Sequence, residues 1–252
     1  PLVEGRVYST FANANLCAFF LAMVLLITLG LFLESSSKNE KKAYVFITLV
    51  NLGALYLTGC RTVLVALVVS IVFLLLLMKR YQWAMIFLGI CGLFVYSVTI
   101  NPQLIPRYTV LDANIAQREL LWDIAWDAIR SEPFLGKGLL SYKYYAIQYN
   151  IIKTHAHNTL LNIWVEWGII GLLLVIWVMI IIFRQGLWGL RHSPYRNYIA
   201  ILLSCMVAAF IHGIADNPMM SIQTGMLFLM LTSMILVFAR DYPHKPRPHN
   251  LI

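Results

Sequence analysis

Three side chains of this chain are suited by type to chemistry on an anionic substrate: Arg61, Arg118 and His157. A guanidinium offers a planar fork of donors that matches phosphate oxygens and stays charged at any relevant pH. His157 precedes an apolar run that opens at Thr159, so a helix starting at Asn158 or Thr159 turns its unpaired N–H groups toward the imidazole and toward any phosphate nearby. A neutral imidazole in that place is what a general base requires. Each residue also has a plainer reading: an arginine at the end of an apolar run snorkels to an interface, and an interfacial histidine makes a structural hydrogen bond. Two arginines and a histidine at neighbouring ends weaken the plainer reading.

Several further residues stand beside this set. At about 100° per residue, Gly168 falls within about 20° of the His157 face and Gly171 within about 40°, which reads as a small-residue strip where another helix packs closely. Glu166 is the one carboxylate inside an apolar run; it lies about 180° away on a polar edge with Asn158 and Asn162 and reads as a structural partner for a neighbouring span, or as a protonated carboxyl accepting a backbone contact, rather than part of the site. His212, Asp216 and Asn217 cluster at the end of a later run, with joining the site and merely closing a polar helix end as open alternatives. His155 and His157 form an HxH pair with no third ligand nearby in sequence, so no metal is expected. No P-loop, GxGxxG, nucleophile elbow or Ser/His/Asp order is present.

The elements that position these residues follow from composition. Of 252 residues, 60% are hydrophobic and 12% charged, and the mean hydropathy is +0.76, which excludes an ordinary soluble domain. The net charge of +8 is distributed between apolar runs, with no basic stripe or RNA-binding motif, so nucleic acid is not an expected partner; membrane lipids are. Four separated cysteines make neither a CxxC pair nor a disulfide framework. Apolar runs at 16–33, 43–58, 62–78, 81–100, 159–183, 198–215 and 219–239 predict about seven spanning helices, the second and third joined by a tight hairpin at Gly59, Cys60 and Arg61. Lys38, Lys41, Lys42, Lys79, Arg80, Arg184, Arg191, Arg196, Arg240, Lys245 and Arg247 then share one face, expected to be cytoplasmic.

The predicted fold class is therefore all-α: a polytopic transmembrane helical bundle with a long external loop. The expected organisation is spans 1–4 with an external N-terminal segment in residues 1–100, the external loop in 101–158, spans 5–7 in 159–240 and a cytoplasmic tail in 241–252. Within the loop, Asn114 and Gln117 resemble a capping box, and Ile115, Trp122, Trp126 and Ile129 share one face of an interfacial amphipathic helix opposite Glu119, Asp123 and Asp127. Pro133, Gly136 and Gly138 end it, and Tyr142, Tyr144, Tyr145 and Tyr149 follow as an interface cluster. The spans are expected to be plain, with polar groups at their external ends; a transporter of lipid-linked or anionic solutes would instead show broken spans with polar groups near the midplane. Residue 1 is Pro and no signal peptide follows it, so a C-terminal portion of a longer membrane protein is expected.

These residues resemble the bacterial O-antigen ligase and O-antigen polymerase superfamily of membrane glycosyltransferases. His157-Asn158, nine intervening residues, Gly168, two more and Gly171 are similar to that family's His-(Asn/Ser/Gln)-x9-Gly-x-x-(Gly/Thr/Tyr) signature, with Glu166 where many members carry a Glu. The segment Arg6-Val7-Tyr8-Ser9-Thr10-Phe11-Ala12-Asn13-Ala14-Asn15 is similar to its Gly/Ser-Thr-Phe-x-Asn-x-Asn entrance, and Arg118 with Leu121-Trp122, Pro133 and Gly136-Lys137-Gly138 follows its external-loop pattern.

The resemblance implies a protein of ten to twelve spans in the bacterial cytoplasmic membrane, with an outward-facing active site. It implies a glycosyltransferase of the surface polysaccharide or lipopolysaccharide pathways that moves an oligosaccharide from an undecaprenyl-diphosphate-linked donor to an acceptor hydroxyl on a lipid or glycan, without metal, cofactor or nucleotide sugar. Arg61 and Arg118 then hold the diphosphate, His157 takes the acceptor proton, and direct displacement inverts the anomeric centre. Asn158, Tyr142 and Tyr145 are candidate substrate contacts, and Gly168, Gly171 and Glu166 a structural motif. Repeat-unit polymerisation and protein O-oligosaccharide transfer are the alternatives within the superfamily.

Overall fold

The computed structural model describes residues 2–3, 5–104 and 111–240; the expected tail at 241–252 lies outside them. Described residues form helices almost throughout: α1 (Ala14–Glu34), α2 (Lys38–Thr58), α3 (Arg61–Leu77), α4 (Tyr81–Ile100), α5 (Leu111–Ser131), α6 (Tyr142–Gln148), α7 (Thr159–His192), α8 (Arg196–Gly213) and α9 (Ile222–Phe238). A two-stranded antiparallel hairpin, β1 (Leu2–Val3) and β2 (Arg6–Val7), precedes them.

Each of the seven expected apolar runs falls on a helix. Four of these, α1, α4, α7 and α8, are long and apolar enough to cross a membrane unaided. The helices α3 and α9 are apolar but have 17 residues each, and α2 opens with a charged turn around Glu40. The predicted hairpin is present: Gly59 caps α2 in the left-handed region at φ 61°, and α3 begins two residues later at Arg61.

The core is built around α8, where Ile199, Ala200, Leu203, Cys205, Ala208 and Ala209 are all buried against α1, α3, α7 and α9. Apolar burial does not drive helices together within hydrocarbon, so close approach and dispersion must. Small residues stand where the axes come closest. A Cβ on Gly30 of α1 would lie 2.2 Å from Ile201, and one on Gly186 of α7 would lie 2.7 Å from Leu203. On Gly189 it would lie 2.8 Å from both Ala239 and Ile199. The small-residue strip of α7 that meets other helices is thus Gly186 and Gly189, and the expectation that Gly168 and Gly171 serve this purpose is corrected. Phe46 of α2 and Met85 and Leu93 of α4 are about 70% exposed, an apolar surface suited to lipid rather than water.

Gly168 does something else. It sits inside α7 at φ 66° and ψ −176°, a conformation that breaks the helix into residues 159–167 and 169–192. Breaking a helix orphans carbonyls before the break and N–H groups after it. Residues 133–138 of the connection between α5 and α6 cross the break and satisfy both: Lys137 N donates to Val165 O at 2.9 Å, Gly138 N to Glu166 O at 2.9 Å, and Ile169 N to Pro133 O at 2.9 Å. The approach is so close that a Cβ on Gly168 would lie 2.0 Å from the Phe134 carbonyl oxygen, and one on Gly136 2.4 Å from Gly168 N. The expectation of plain spans is therefore corrected for α7, and helical-wheel angles cannot be carried from His157 to Gly168 and Gly171.

The helix α5 starts at Leu111, so Asn114 lies inside it rather than capping it. Its buried stripe is Leu121, Ile124, Ala125, Ala128 and Ile129, with Ile115 and Trp126 exposed. This corrects the predicted apolar face. Alanines at 125 and 128 let α5 lie close to α6 and α7, forming a second, smaller core with Tyr142, Ala146, Ala156 and Val165, while Trp126 meets Trp164 edge-on at 5.5 Å.

Candidate active site

Two neighbouring features form the site. The first is a cleft of about 180 Å³ whose lining includes Arg6, Asn15, Arg61, Thr62, Asn114 and Arg118. Arg61 is the first residue of α3, set there by the left-handed Gly59 cap, so helix N–H groups and a guanidinium face the same space. Arg118 enters from α5. Arg6, on β2, is held by its Nε–H on the Thr58 carbonyl at 2.7 Å, at the negative end of α2. Three guanidinium groups around one cleft make a strongly anion-attracting field. Sequence reading brought Arg61 and Arg118 together and gave Arg6 no role, although Arg6 opens the segment that carried the family resemblance.

The second feature is a histidine–carboxylate pair. His157 Nδ1 lies 2.9 Å from Asp216 Oδ1, with the two side chains 18% and 3% exposed. Asp216 Oδ1 also accepts the Asn217 N–H at 2.8 Å, and its Oδ2 accepts Asn15 Nδ2. Burial by itself would raise the Asp216 carboxyl; the hydrogen bond from His157 and the imidazoles of His157, His212 and His155 outweigh it and hold the carboxyl below its ordinary range. An ionised Asp216 fixes the proton of His157 on Nδ1, which leaves Nε2 as the basic atom. Of the residues clustered at the end of α8, Asp216 is the one in direct contact with His157.

Asn15 joins the two features. Its Oδ1 accepts from Arg6 Nη2 while its Nδ2 donates to Asp216, giving a continuous path Arg6–Asn15–Asp216–His157. Asn13, two residues earlier, caps α1 by accepting the N–H groups of Asn15 and Leu16 at 2.9 Å. The two asparagines of the Asn-x-Asn segment thus divide the labour: one starts the helix, the other aligns the carboxylate.

His157 is held in the left-handed region at φ 49°, a strained state for a non-glycine residue that the surroundings must enforce. Its N–H donates to His155 Nδ1 at 3.2 Å, and the two rings lie 4.2 Å apart. Burial, with His157 alongside, lowers His155 to about 4 against the opposing field of Asp216, so His155 is a neutral acceptor near pH 7. His155, His157 and Asp216 offer ligand atoms within 4.8 Å of one another, so a third potential metal ligand does stand near the HxH pair, contrary to the sequence expectation. His157 Nδ1 is engaged with Asp216 and His155 Nδ1 with the His157 N–H, an arrangement that orients an imidazole.

Other candidates take different places. Asn158 caps α7, accepting from Leu161 N at 3.1 Å and donating to Ile214 O at 3.0 Å, so both ends of its amide are engaged in structure. Thr159 Oγ1 adds a bond to Asp216 O at 3.2 Å. Tyr142 is fully buried with its hydroxyl on Leu121 O at 2.9 Å; the expectation that it touches substrate is corrected, because a core position excludes contact. Tyr145 is half-buried, its hydroxyl 3.0 Å from Ser131 Oγ. His212 is buried in α8, its Nδ1 3.3 Å from Thr62 Oγ1 in the cleft lining and its ring stacked on Phe19. Glu166 lies with Asn162, as the shared polar edge implied, at 3.0 Å.

A family model described as O-antigen ligase matches residues 43–176, a stretch that holds Arg61, Arg118, His157, Glu166, Gly168 and Gly171. A "Putative polysaccharide ligase" of Rickettsia conorii is 29% identical over 157 residues, which cover 56% of this chain and 37% of that protein. A second protein of that name, from Rickettsia felis, is 25% identical over 157 residues, covering 56% of this chain and 38% of its own length. The matched stretch spans little more than a third of either relative. The family model, in contrast, covers over half of this chain, and the chain belongs to the O-antigen ligase family.

Proposed function

We propose that this chain carries the catalytic site of a membrane polysaccharide ligase that transfers a glycan from an undecaprenyl-diphosphate-linked donor to a hydroxyl of a lipid- or glycan-linked acceptor. The observation that carries the reading is the hydrogen-bonded path from the three-arginine cleft to the His157–Asp216 pair. It sets a diphosphate-binding field beside an oriented base, the two functions such a transfer needs.

In this reading His157 Nε2 takes the proton of the acceptor hydroxyl as its oxygen bonds to the anomeric carbon, and the bond from that carbon to the diphosphate oxygen breaks. Negative charge gathers on the departing diphosphate, where fixed guanidinium groups stabilise the transition state more than the ground state. The cleft supplies from Arg6, Arg61 and Arg118 the positive charge that other transferases draw from a divalent ion. Attack opposite the leaving group inverts the anomeric centre. We place the site at the outer face of the cytoplasmic membrane, with seven helices spanning and α5 and α6 in the external segment, because the lysine and arginine distribution puts the opposite ends toward the cytoplasm.

The test is glycan profiling of cells that express the full-length protein with His157→Ala, Arg61→Ala or Arg118→Ala at matched membrane abundance. Loss of transferred glycan with accumulation of lipid-linked donor is expected for all three. Wild-type profiles would overturn the site, and a product with retained anomeric configuration would overturn the direct displacement.

A further inference from the structure

His157 lies two residues before the short helical piece 159–167, which does not continue straight into residues 169–192. A chain of polar contacts links that piece to the turn at His157. Glu166 and Asn162 are both buried. Glu166 Oε1 accepts Asn162 Nδ2 at 3.0 Å and the Leu140 N–H at 3.1 Å. Asn162 Oδ1 in turn accepts the N–H of Ala156 at 3.3 Å. Ala156 is buried and immediately precedes His157, whose own N–H is taken by His155. The N–H groups of Ala156 and His157 are therefore both anchored by side chains, the first through Asn162 to Glu166 and on to Leu140, two residues past the segment that crosses the helix break.

Resting on the functional reading above, we propose that Glu166 and Asn162 are positioning residues for His157: a buried strut that fixes the height and angle of the base relative to the cleft without touching substrate. The strut accounts for a carboxyl group within an apolar helix, where it is costly unless well partnered, and for the left-handed turn at His157, which persists only if over-determined. It needs an acceptor at Glu166 rather than a charge, since both contacts are N–H groups donated to one oxygen.

Displacing a catalytic group by about 1 Å costs about 10²-fold in rate. In proteoliposomes of the full-length protein, with lipid-linked glycan extracted from cells lacking the protein as donor, Glu166→Ala and Asn162→Ala should each lower kcat by about 30- to 100-fold. KM for the donor should stay within about twofold, because the arginine cleft is untouched. Glu166→Gln, which keeps an oxygen acceptor, should retain kcat within about threefold. The main-chain bonds of Lys137, Gly138 and Ile169 across the break remain in all three variants, so the fold should persist; equal elution in detergent checks this, and if Glu166→Ala fails to fold, Asn162→Ala decides. Unchanged kcat in the alanine variants, a Gln variant as impaired as the Ala variant, or a loss confined to KM overturns the strut. A His157→Ala control as active as wild type overturns the functional reading instead.

Discussion

The two parts of α7 both pack in apolar cores, but only the first adds a set of hydrogen bonds from side chains and from the segment crossing the break. Residues 169–192 pack against α8 and α9 through Gly186 and Gly189, where side chains of Leu203, Ile199 and Ala239 fill the space a Cβ would take. Residues 158–167 share the small apolar core with α5 and α6 through Leu161, Trp164 and Val165 and are tied further by hydrogen bonds: Asn158 and Thr159 to the 214–217 turn, Val165 and Glu166 to residues 137 and 138, and Asn162 to Ala156. Close packing suits a span that needs only to stay in place. Directional bonds suit the piece of helix that follows His157 and fixes the angle of its imidazole.

The sharpest way to break this contrast is to compare glycines on the two sides. Gly168→Ala must relieve a contact 2.0 Å from a main-chain oxygen at a positive φ, and we expect a loss of more than about 3 kcal/mol, seen as collapse of membrane abundance or of the unfolding temperature in detergent. Next comes the bond between His157 and Asp216 in the turn after α8. Asp216→Asn should keep the fold but drop transfer by about 10²- to 10⁴-fold, by losing control of the His157 tautomer, measured as initial rate at equal protein. Gly186→Ala, whose nearest neighbour is the end of a leucine side chain at 2.7 Å, should cost only about 1 to 2 kcal/mol and leave transfer intact.

The smallest expected effect is a pH slope that arises in the turn before α7. His155 is lowered from 6.5 to about 4 in the folded state, so folding resists its protonation. Its contribution is complete above pH 6.5 and is lost as the pH falls through 4. Asp216, also depressed, contributes above its ordinary 3.8 and loses that contribution only in stronger acid. Between pH 6.5 and 4 the His155→Gln variant should therefore show a flatter unfolding-temperature profile than wild type, and an unchanged slope would remove His155 from the set that holds the turn.

Much of the bundle was legible in the sequence because apolar runs and their breakers are local signals: the hairpin at Gly59 and the start of α7 at Asn158 fell where expected. Arg61 and Arg118 were legible as a pair because topology alone places both at one end. What was not legible depends on contacts across the fold. Arg6 and Asn15 join the site only because α1 packs beside α8 and brings Asn15 to Asp216, 201 positions away. The buried face of α5 was misassigned because its alanines are weak apolar signals whereas tryptophans are strong ones, and close packing selects size over hydropathy. Gly168 read as a packing residue because periodicity assumes a continuous helix, and nothing local announces a partner strand from residues 133–138.

A helix interrupted inside a membrane protein usually offers a cation the bare carbonyls of its upstream piece and an anion the N–H groups of its downstream piece. Here the Val165 and Glu166 carbonyls face the Lys137 and Gly138 N–H groups, and Ile169 N faces the Pro133 carbonyl. The partial charges at the break are neutralised by main chain, so α7 can be discontinuous without becoming an ion-binding or ion-coupled gate.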